Sequence, residues 1–567
     1  MSESKLNTIC ELRQKEFELT KFKPIYPDYS KEEIMLPMTD KVRLKTTIFR
    51  PVNVDKTVEA KPLPVIIERT CYPGQEKLRD INGENFAKRG YIFVSQYCRG
   101  TGGSEGEWFP NVNEREDGLA TLFWLNSQNW AETIGYWGNS YLALTGWAIA
   151  DRVPDKVKGM CLTHYGTDRF QSAYEKGMFR QDVLTAWAMG NAGFQVEADY
   201  IESCKFMPQL EVDEKLWGKK LDWYRDLISN DQREDSYWQQ GWWKELYEIT
   251  KQVKVPLYVR SGWYDHHHGS AMNTWDMLSE ETKEHSWLDI GGWNHSFEPC
   301  LEDCEIKNIN HSEILAVLEW FELILKKGKL PDKRIRTYVI GSDLWLEFPV
   351  WPLKNQENKS FYLTCKEDVK ILQQKKDEIN GKLSYQYDPQ NPNDSYGVES
   401  LLQNMKANGS LVQPEPDYRQ DVLSFISEPF TKDLQIIGKI KVHLYVSSSC
   451  PDTAFTAKII EVRENKKAYS IRSGITSLCH DIGHSYEPQA IECVTIEMWD
   501  IAYQLRKGSR LRIDISSSDF PQYHVHSNYA GVWSLQDKTQ KAVQTIFYGE
   551  TYPSYIEIPY KRCNEME

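Results

Sequence analysis

The sequence predicts an α/β protein with a helical insertion and a separate β domain, and three observations carry that prediction. Between residues 34 and 165 short apolar runs alternate with helical patterns, the signature of a mainly parallel sheet covered by helices. From about 166 to 249 the strand signal gives way to helical, aromatic-rich segments such as "RQDVLTAWAMGNAGFQVEADYIESC". Beyond the basic run "KKGKLPDKRIR" (326–336), alternating apolar and polar residues recur between Gly, Pro, Asn and Asp, which implies a sandwich or jelly roll.

Taken in order, residues 1–30 read as an N-terminal extension; "MSESKLNTICELRQKEFELT" is charged and lacks the apolar core of a secretory signal. "IMLPMTDKVRLKTTIFRP" reads as two strands around a Thr39-Asp40-Lys41 turn. "LPVIIERT" (63–70), "YIFVSQY" (91–97) and "VKGMCLT" (157–163) are short apolar runs suited to buried strands. "GENFAKRG" is a helix ended by Gly90, and "EREDGLATLFWLNSQNW" carries apolar residues at helical spacing. These elements make residues 31–165 the first part of an α/β domain, with 166–249 as its cap. Strand–helix alternation returns in 250–330 with "VPLYVRSG", "SWLDIGG" and the helical "HSEILAVLEWFELILKKG". Residues 336–567 form the β domain, with "IKVHLYVSSS", "TAFTAKIIEV", "ECVTIEMWD" and "RLRIDISSS" as strands and 365–420 expected as long surface loops.

Composition excludes several function classes. The 567 residues carry a net charge of −14, so the basic face that nucleic acid requires is not expected. No run approaches the ~20 apolar residues of a membrane helix. Twelve cysteines show no repeating spacing, and without an export signal reduced thiols in the cytoplasm are expected. Cys300 and Cys304 lack a second pair at zinc spacing, so no metal is expected there. The 20 Trp and 31 Tyr serve either core packing or the lining of an apolar ligand cavity. Self-assembly is left open.

"TIGYWGNSYLAL" (133–144) places Ser140 between a glycine-punctuated strand and the start of a helix. A serine there is either an N-cap or turn residue, or a nucleophile raised on a strained elbow. The rest of the chain supplies partners in the order that nucleophilic catalysis on such a sheet requires. Asp265 follows the strand after the cap, and His295 follows the next strand, 30 residues later. Alone, Asp265 reads equally as a turn cap and His295 as a loop histidine; in order, each at a strand end, they read as acid and base.

The motifs "RTCYP", "YCRGTGGSEGEWFP", "GYWGNSYLALTGW", "SGWYDHHH" and "GGWNHS", with "DTAFTAKIIEV" and "LRKGSRLRIDISSSDFP" downstream, resemble those of the CocE/NonD serine hydrolases. That cocaine-esterase-like group is related to Xaa-Pro dipeptidyl peptidases and α-amino-acid ester hydrolases. The resemblance spans roughly residues 30 to 560. It implies an α/β-hydrolase fold with an inserted cap and a C-terminal jelly roll of galactose-binding-like form. It implies Ser140 as nucleophile, Asp265 and His295 as acid and base, and an oxyanion hole of the Tyr72 hydroxyl and the Tyr141 N–H. Tyr174, Phe179, Trp187 and His267 fall near positions that bind substrate in the family, although each cap ring also reads as cap core. No cofactor is implied.

Three departures matter. The elbow reads Gly138-Asn139-Ser140-Tyr141-Leu142, without the second glycine of G-x-S-x-G. Asp40-Lys41 stands where relatives often have Asp-Gly. Leu142, Ala143 and Leu144 stand where the amino-ester branch places an acid to hold the substrate amine. These features favour a serine hydrolase of esters, or amides, with an apolar or aromatic acyl group. The rivals are an Xaa-Pro dipeptidyl peptidase, which needs carboxylates from among Glu175, Asp182, Glu197 and Asp199, and a non-catalytic binder, which would be expected to have lost part of the triad. His266, His267 and His268 read as pocket lining or a polar loop, since adjacent loop residues rarely converge on one ion.

Overall fold

Ten strands form one sheet in the computed structural model, which describes residues 3–354, 356–398 and 403–561. They are β1 (Asp28–Pro37), β2 (Arg43–Val52), β3 (Leu63–Thr70), β4 (Ile92–Tyr97), β5 (Ala131–Asn139), β6 (Val157–Thr163), β9 (Leu257–Tyr264), β10 (Trp287–Asn294), β11 (Arg334–Val339) and β12 (Leu344–Glu347). The intervening β7 (Tyr174–Glu175) and β8 (Met178–Phe179) form a small hairpin inside the cap. The sheet order is β1-β2-β4-β3-β5-β6-β9-β10-β11-β12. From β4 to β11 every pairing is parallel, with antiparallel strands only at the two edges. The apolar runs explain the arrangement: β3, β4, β6, β9 and β10 are buried almost throughout, as strands covered on both faces must be.

The expected turn joins β1 to β2, with Lys41 at φ 74°, a left-handed position that glycine would adopt more easily. The cap is mainly helical, and its core gathers Phe170, Tyr174, Phe179, Val183, Tyr224 and Trp238. At the N-terminus, a helix at Glu3–Leu19 docks on the helix Glu76–Lys88 and on Glu313–Phe321. Its Phe17 is fully buried edge-on against Phe86, with ring centroids 5.3 Å apart.

The C-terminal half is β-rich, and its named strands pair antiparallel except for the short parallel contact of Ile371 and Leu372 with Ile426 and Ser427. Its longest strand, at Leu434–Ser448, pairs with strands at Glu492–Leu505, Ala542–Tyr548 and Tyr555–Lys561. Residues 365–420 depart from the expected loops: strands lie at Val369–Gln373 and Gly381–Tyr387. The second is polar because Lys382, Ser384 and Gln386 face water while Tyr385 and Tyr387 are buried, an alternation that its low apolar content hid. Residues 399–402 of that expected loop region lie outside the described residues. Among the described residues no helix is long and apolar enough to cross a membrane.

Candidate active site

Ser140 stands at the end of β5 with φ 59° and ψ −126°, and the helix Tyr141–Trp147 begins at the next residue. A non-glycine residue at positive φ is strained, and the neighbours hold this one in place. Its N–H donates to Thr163 O at 2.9 Å, tying the elbow to β6. A Cβ on Gly138 would lie 2.1 Å from Leu142 O, so only glycine allows the helix to double back so tightly. The missing second glycine is therefore not required for this turn. The Ser140 hydroxyl makes no capping bond to the helix behind it. It lies instead 2.9 Å from His295 Nε2.

The other two expected residues close the chain of contacts. His295 follows β10, and its Nδ1 bonds Asp265 Oδ2. Asp265 follows β9, is fully buried, and also accepts the His267 N–H at 2.7 Å. Burial is the largest single influence and pushes the Asp265 carboxyl up, but His295, His164 and His266 together outweigh it and hold the acid well below the usual carboxylate range. An ionised carboxylate fixes the imidazole tautomer, leaving Nε2 as the proton acceptor toward the hydroxyl.

Behind this relay sits His164, at the end of β6. Its Nε2 accepts from Trp293 Nε1 at 3.2 Å, so Nδ1 carries the proton and donates to Asn139 Oδ1 at 3.1 Å. Burial pushes its pKa down to about 3, which keeps a neutral ring beside the relay. His266 stacks on His295 with centroids 4.0 Å apart and is likewise held neutral by burial and by that neighbour. Of the three consecutive histidines, His266 and His267 pack together beside His295 with ring centroids 4.5 Å apart, His267 also meeting the Tyr165 ring at 4.3 Å, while His268 turns away so that its Nδ1 meets Ser261 Oγ at 2.9 Å. They do not converge on one point.

The hydroxyl opens into a cavity of about 400 Å³. Tyr72 lines it, and its OH accepts from Trp187 Nε1 at 3.1 Å, leaving the phenolic proton to be donated elsewhere. Burial pushes the phenol well up, so that proton is retained. Tyr141 is the first residue of its helix, so its N–H has no carbonyl one turn earlier within that helix. Its side chain is committed elsewhere: the OH donates to Glu114 Oε1 and accepts from Asn111 N, each at 2.8 Å. Two N–H or O–H donors beside a nucleophilic hydroxyl can stabilise an oxyanion.

The remaining expected residues divide. Trp187 and His267 line the cavity, together with Tyr165, Val183 and Leu184. Tyr174 and Phe179 do not. Tyr174 is 1% exposed and donates to Leu227 O, while Phe179 is fully buried and stacks on Trp533 of the β domain. Their backbone hairpin turns both rings away from Ser140 into the seam between cap and β domain. None of the four cap acids lines the cavity. Glu175 pairs with Arg180 at 3.1 Å, Asp182 bonds Tyr200, Asp199 caps the helix Tyr200–Lys205, and Glu197 is exposed. The far end of the cavity is formed by Arg13, Glu68, Asn82 and Glu313, none of which carries a local motif.

Comparison with known proteins accords with this geometry. Residues 40–297 match the family model for X-Pro dipeptidyl-peptidase (S15 family), and residues 327–557 match that for the X-Pro dipeptidyl-peptidase C-terminal non-catalytic domain. The chain is 26% identical over 583 aligned residues to the cocaine esterase of Rhodococcus sp. (strain MB1 Bresler), covering 93% of this chain and 97% of that protein. Among solved structures, an aminopeptidase from a marine sediment Thaumarchaeota archaeon superposes with a TM-score of 0.81 at 19% identity, covering 96% of this chain and 98% of that one. An α-amino acid ester hydrolase gives 0.81 at 21% identity, over 95% and 98% of the two chains. A CocE/NonD family hydrolase from Staphylococcus aureus gives 0.66 at 18%, over 94% of each. With the serine elbow, the helical cap and the β-rich C-terminal domain in one chain, the protein is an α/β-hydrolase enzyme that carries the S15-family domain and its C-terminal companion domain.

Proposed function

We propose that the protein hydrolyses carboxylic esters with an apolar or aromatic acyl group through an acyl-enzyme on Ser140. The observation that carries this reading is the contact of Ser140 Oγ with His295 Nε2 at 2.9 Å, backed by His295 Nδ1 on buried Asp265. In this reading His295 takes the hydroxyl proton as Oγ attacks the carbonyl carbon. The developing oxyanion is held by the Tyr72 hydroxyl and the Tyr141 N–H, and Asp265 stabilises the imidazolium. His295 returns the proton to the departing alcohol; water, activated by the same imidazole, then releases the acid. Tyr165, Val183, Leu184 and Trp187 give the acyl group an apolar wall under the cap.

The matched family's X-Pro dipeptidyl-peptidase description favours a second reading, cleavage after an Xaa-Pro dipeptide. That reaction needs a carboxylate for the free amine, because an unpaired buried ammonium costs several kcal/mol. The cap acids are bonded elsewhere or face water, and Leu142 to Leu144 supply none. Of the two carboxylates that do line the cavity, Glu313 is paired with Arg13, which leaves Glu68, bonded to Ser95, as the one acid there that could meet an amine. The apolar wall of Tyr165, Val183, Leu184 and Trp187 supports the ester reading. A panel of aryl and alkyl esters beside Gly-Pro and Ala-Pro anilides decides between them. Simple esters are expected to show much the higher kcat/KM. An anilide that equals the best ester would overturn the substrate assignment.

A further inference from the structure

The polar wall of the cavity takes Arg13 from the helix Glu3–Leu19, which lies outside both family-matched stretches, 40–297 and 327–557. The helix is fixed at several points. Glu16 Oε1 accepts from Ser312 Oγ and Glu313 N, each at 2.8 Å. Gln14 Oε1 accepts from Asn85 Nδ2 at 3.0 Å, and Arg89 Nη2 donates to Phe17 O at 2.8 Å. These contacts present Arg13 to the cavity. Its Nη2 donates to Glu313 Oε2 at 2.5 Å, and its guanidinium lies 5.5 Å from the Trp137 ring centroid. Trp137 is three residues before Ser140 on β5 and donates its Nε1–H to Glu313 Oε1 at 3.2 Å. Arg13 and Ser140 thus line the same space.

Two polar atoms at this end are buried and have no partner: Arg13 Nη1, a donor, and Asn82 Oδ1, an acceptor. Asn82 is only 3% exposed. Native interiors rarely leave such atoms unmatched, so an unmatched pair on a cavity wall beside a nucleophile marks a place for a ligand's polar groups. Charge narrows the ligand. Arg13 is already neutralised by Glu313, and Glu68 is held by Ser95 Oγ at 2.9 Å while burial pushes its carboxyl up. A carboxylate finds no spare cation here, and an ammonium, which Glu68 could meet, cannot accept from Arg13 Nη1. A neutral hydroxyl matches both orphans, since it accepts from Nη1 and donates to Oδ1.

We infer that Arg13 and Asn82 form a subsite for a neutral, hydroxyl-bearing alcohol half of the ester substrate, so that the N-terminal helix sets leaving-group specificity. This rests on the ester reading above, with the apolar acyl group under the cap. The subsite makes the substrate two-sided, apolar toward Trp187 and hydroxylated toward Arg13. It also gives the helix a role that the elbow and its partners do not need.

The test compares 2,3-dihydroxypropyl benzoate with propyl benzoate on the full chain. The wild type is expected to favour the dihydroxy ester at least tenfold in kcat/KM. Asn82→Leu should bring that ratio close to one. Arg13→Met leaves Glu313 without its cation, so the paired variant Arg13→Met with Glu313→Gln guards against misfolding and should also lower the ratio toward one. Hydrolysis of both esters without preference, or a preference that survives both variants, overturns the inference alone. If neither ester is hydrolysed and a fluorophosphonate does not label Ser140, the ester reading falls and takes the subsite with it.

Discussion

The two ends of the Ser140 cavity reach the same hydroxyl by opposite routes. Under the cap, Tyr165, Arg169, Val183, Leu184 and Trp187 come from one stretch of about two dozen residues, and all but Arg169, which bonds the Tyr165 hydroxyl, are apolar or aromatic in body. At the other end Arg13, Glu68, Asn82 and Glu313 come from four separate elements spread over 300 positions, and all are polar. The first wall contributes area removed from water, which is tolerant of shape. The second contributes fixed donors and acceptors, which are not. Affinity for an acyl group can thus be loose while recognition of what lies opposite is strict.

The largest expected effect is common to both ends. Ser140→Ala should lower kcat/KM at least about 10⁴-fold for every ester, whatever its two halves, because it removes the nucleophile rather than a wall. It should also abolish fluorophosphonate labelling with an unchanged melting temperature. Loss for one ester class and survival for another would mean that the two ends serve different reactions. Next comes Tyr72, whose hydroxyl touches the cap through Trp187. Tyr72→Phe should lower kcat by about 10²- to 10³-fold with KM nearly constant. A change confined to KM would make Tyr72 a part of the apolar wall.

Two cap rings that the sequence treats alike should separate in the same assays. Trp187→Leu removes cavity wall, and its effect on an aromatic acyl ester should be a rise in KM of roughly tenfold. That corresponds to about 1.4 kcal/mol, or about 55 Å² of apolar contact at ~25 cal/mol per Å². Phe179→Leu should leave that KM near its original value and instead lower stability by about 1–2 kcal/mol, because the ring packs on Trp533 in the seam between cap and β domain. Equal KM effects would put Phe179 back in the substrate pocket.

That pair shows where the sequence stops being readable. The sheet was legible because fully buried strands such as β6 are continuous apolar runs. The elbow was legible because Gly138 and Ser140 sit at fixed spacing before a helix. Asp265 and His295 were legible because each follows a strand whose end falls at the same sheet edge. A cap aromatic carries no such constraint: which way Tyr174 or Trp187 points depends on a two-residue hairpin and on packing against the β domain, neither of which has a period. Arg13 was less visible still. Its helix reads as a charged extension, and only docking against Glu313, 300 residues away in the chain, turns one of its charges into cavity wall. The polar strand Gly381–Tyr387 was hidden for a related reason, since half of its alternation faces water.

The smallest effect concerns acid stability, and it sets the catalytic edge of the sheet against its contact with the β domain. His268 is fully buried beside Trp263, and Nε2 has no partner. Burial first, and then the fully buried Arg472 of the β domain, drives its pKa well below the ordinary 6.5; Asp265 pulls the other way, while His164 and Lys439 add to the depression. A histidine depressed in the folded state is neutral there while the unfolded chain takes up a proton below about pH 6.5. Its contribution is therefore complete above that pH and is lost as the pH falls, by about 1.4 kcal/mol per unit. His268→Gln removes that proton uptake and should flatten the fall in melting temperature between pH 6.5 and 5 by about 1–2 °C per unit, a small change because so long a chain has a large unfolding entropy. Scanning calorimetry across that range reads it directly. If the slope is unchanged, His268 gains its proton in the folded state, and the seam with Arg472 is wetter than its burial indicates.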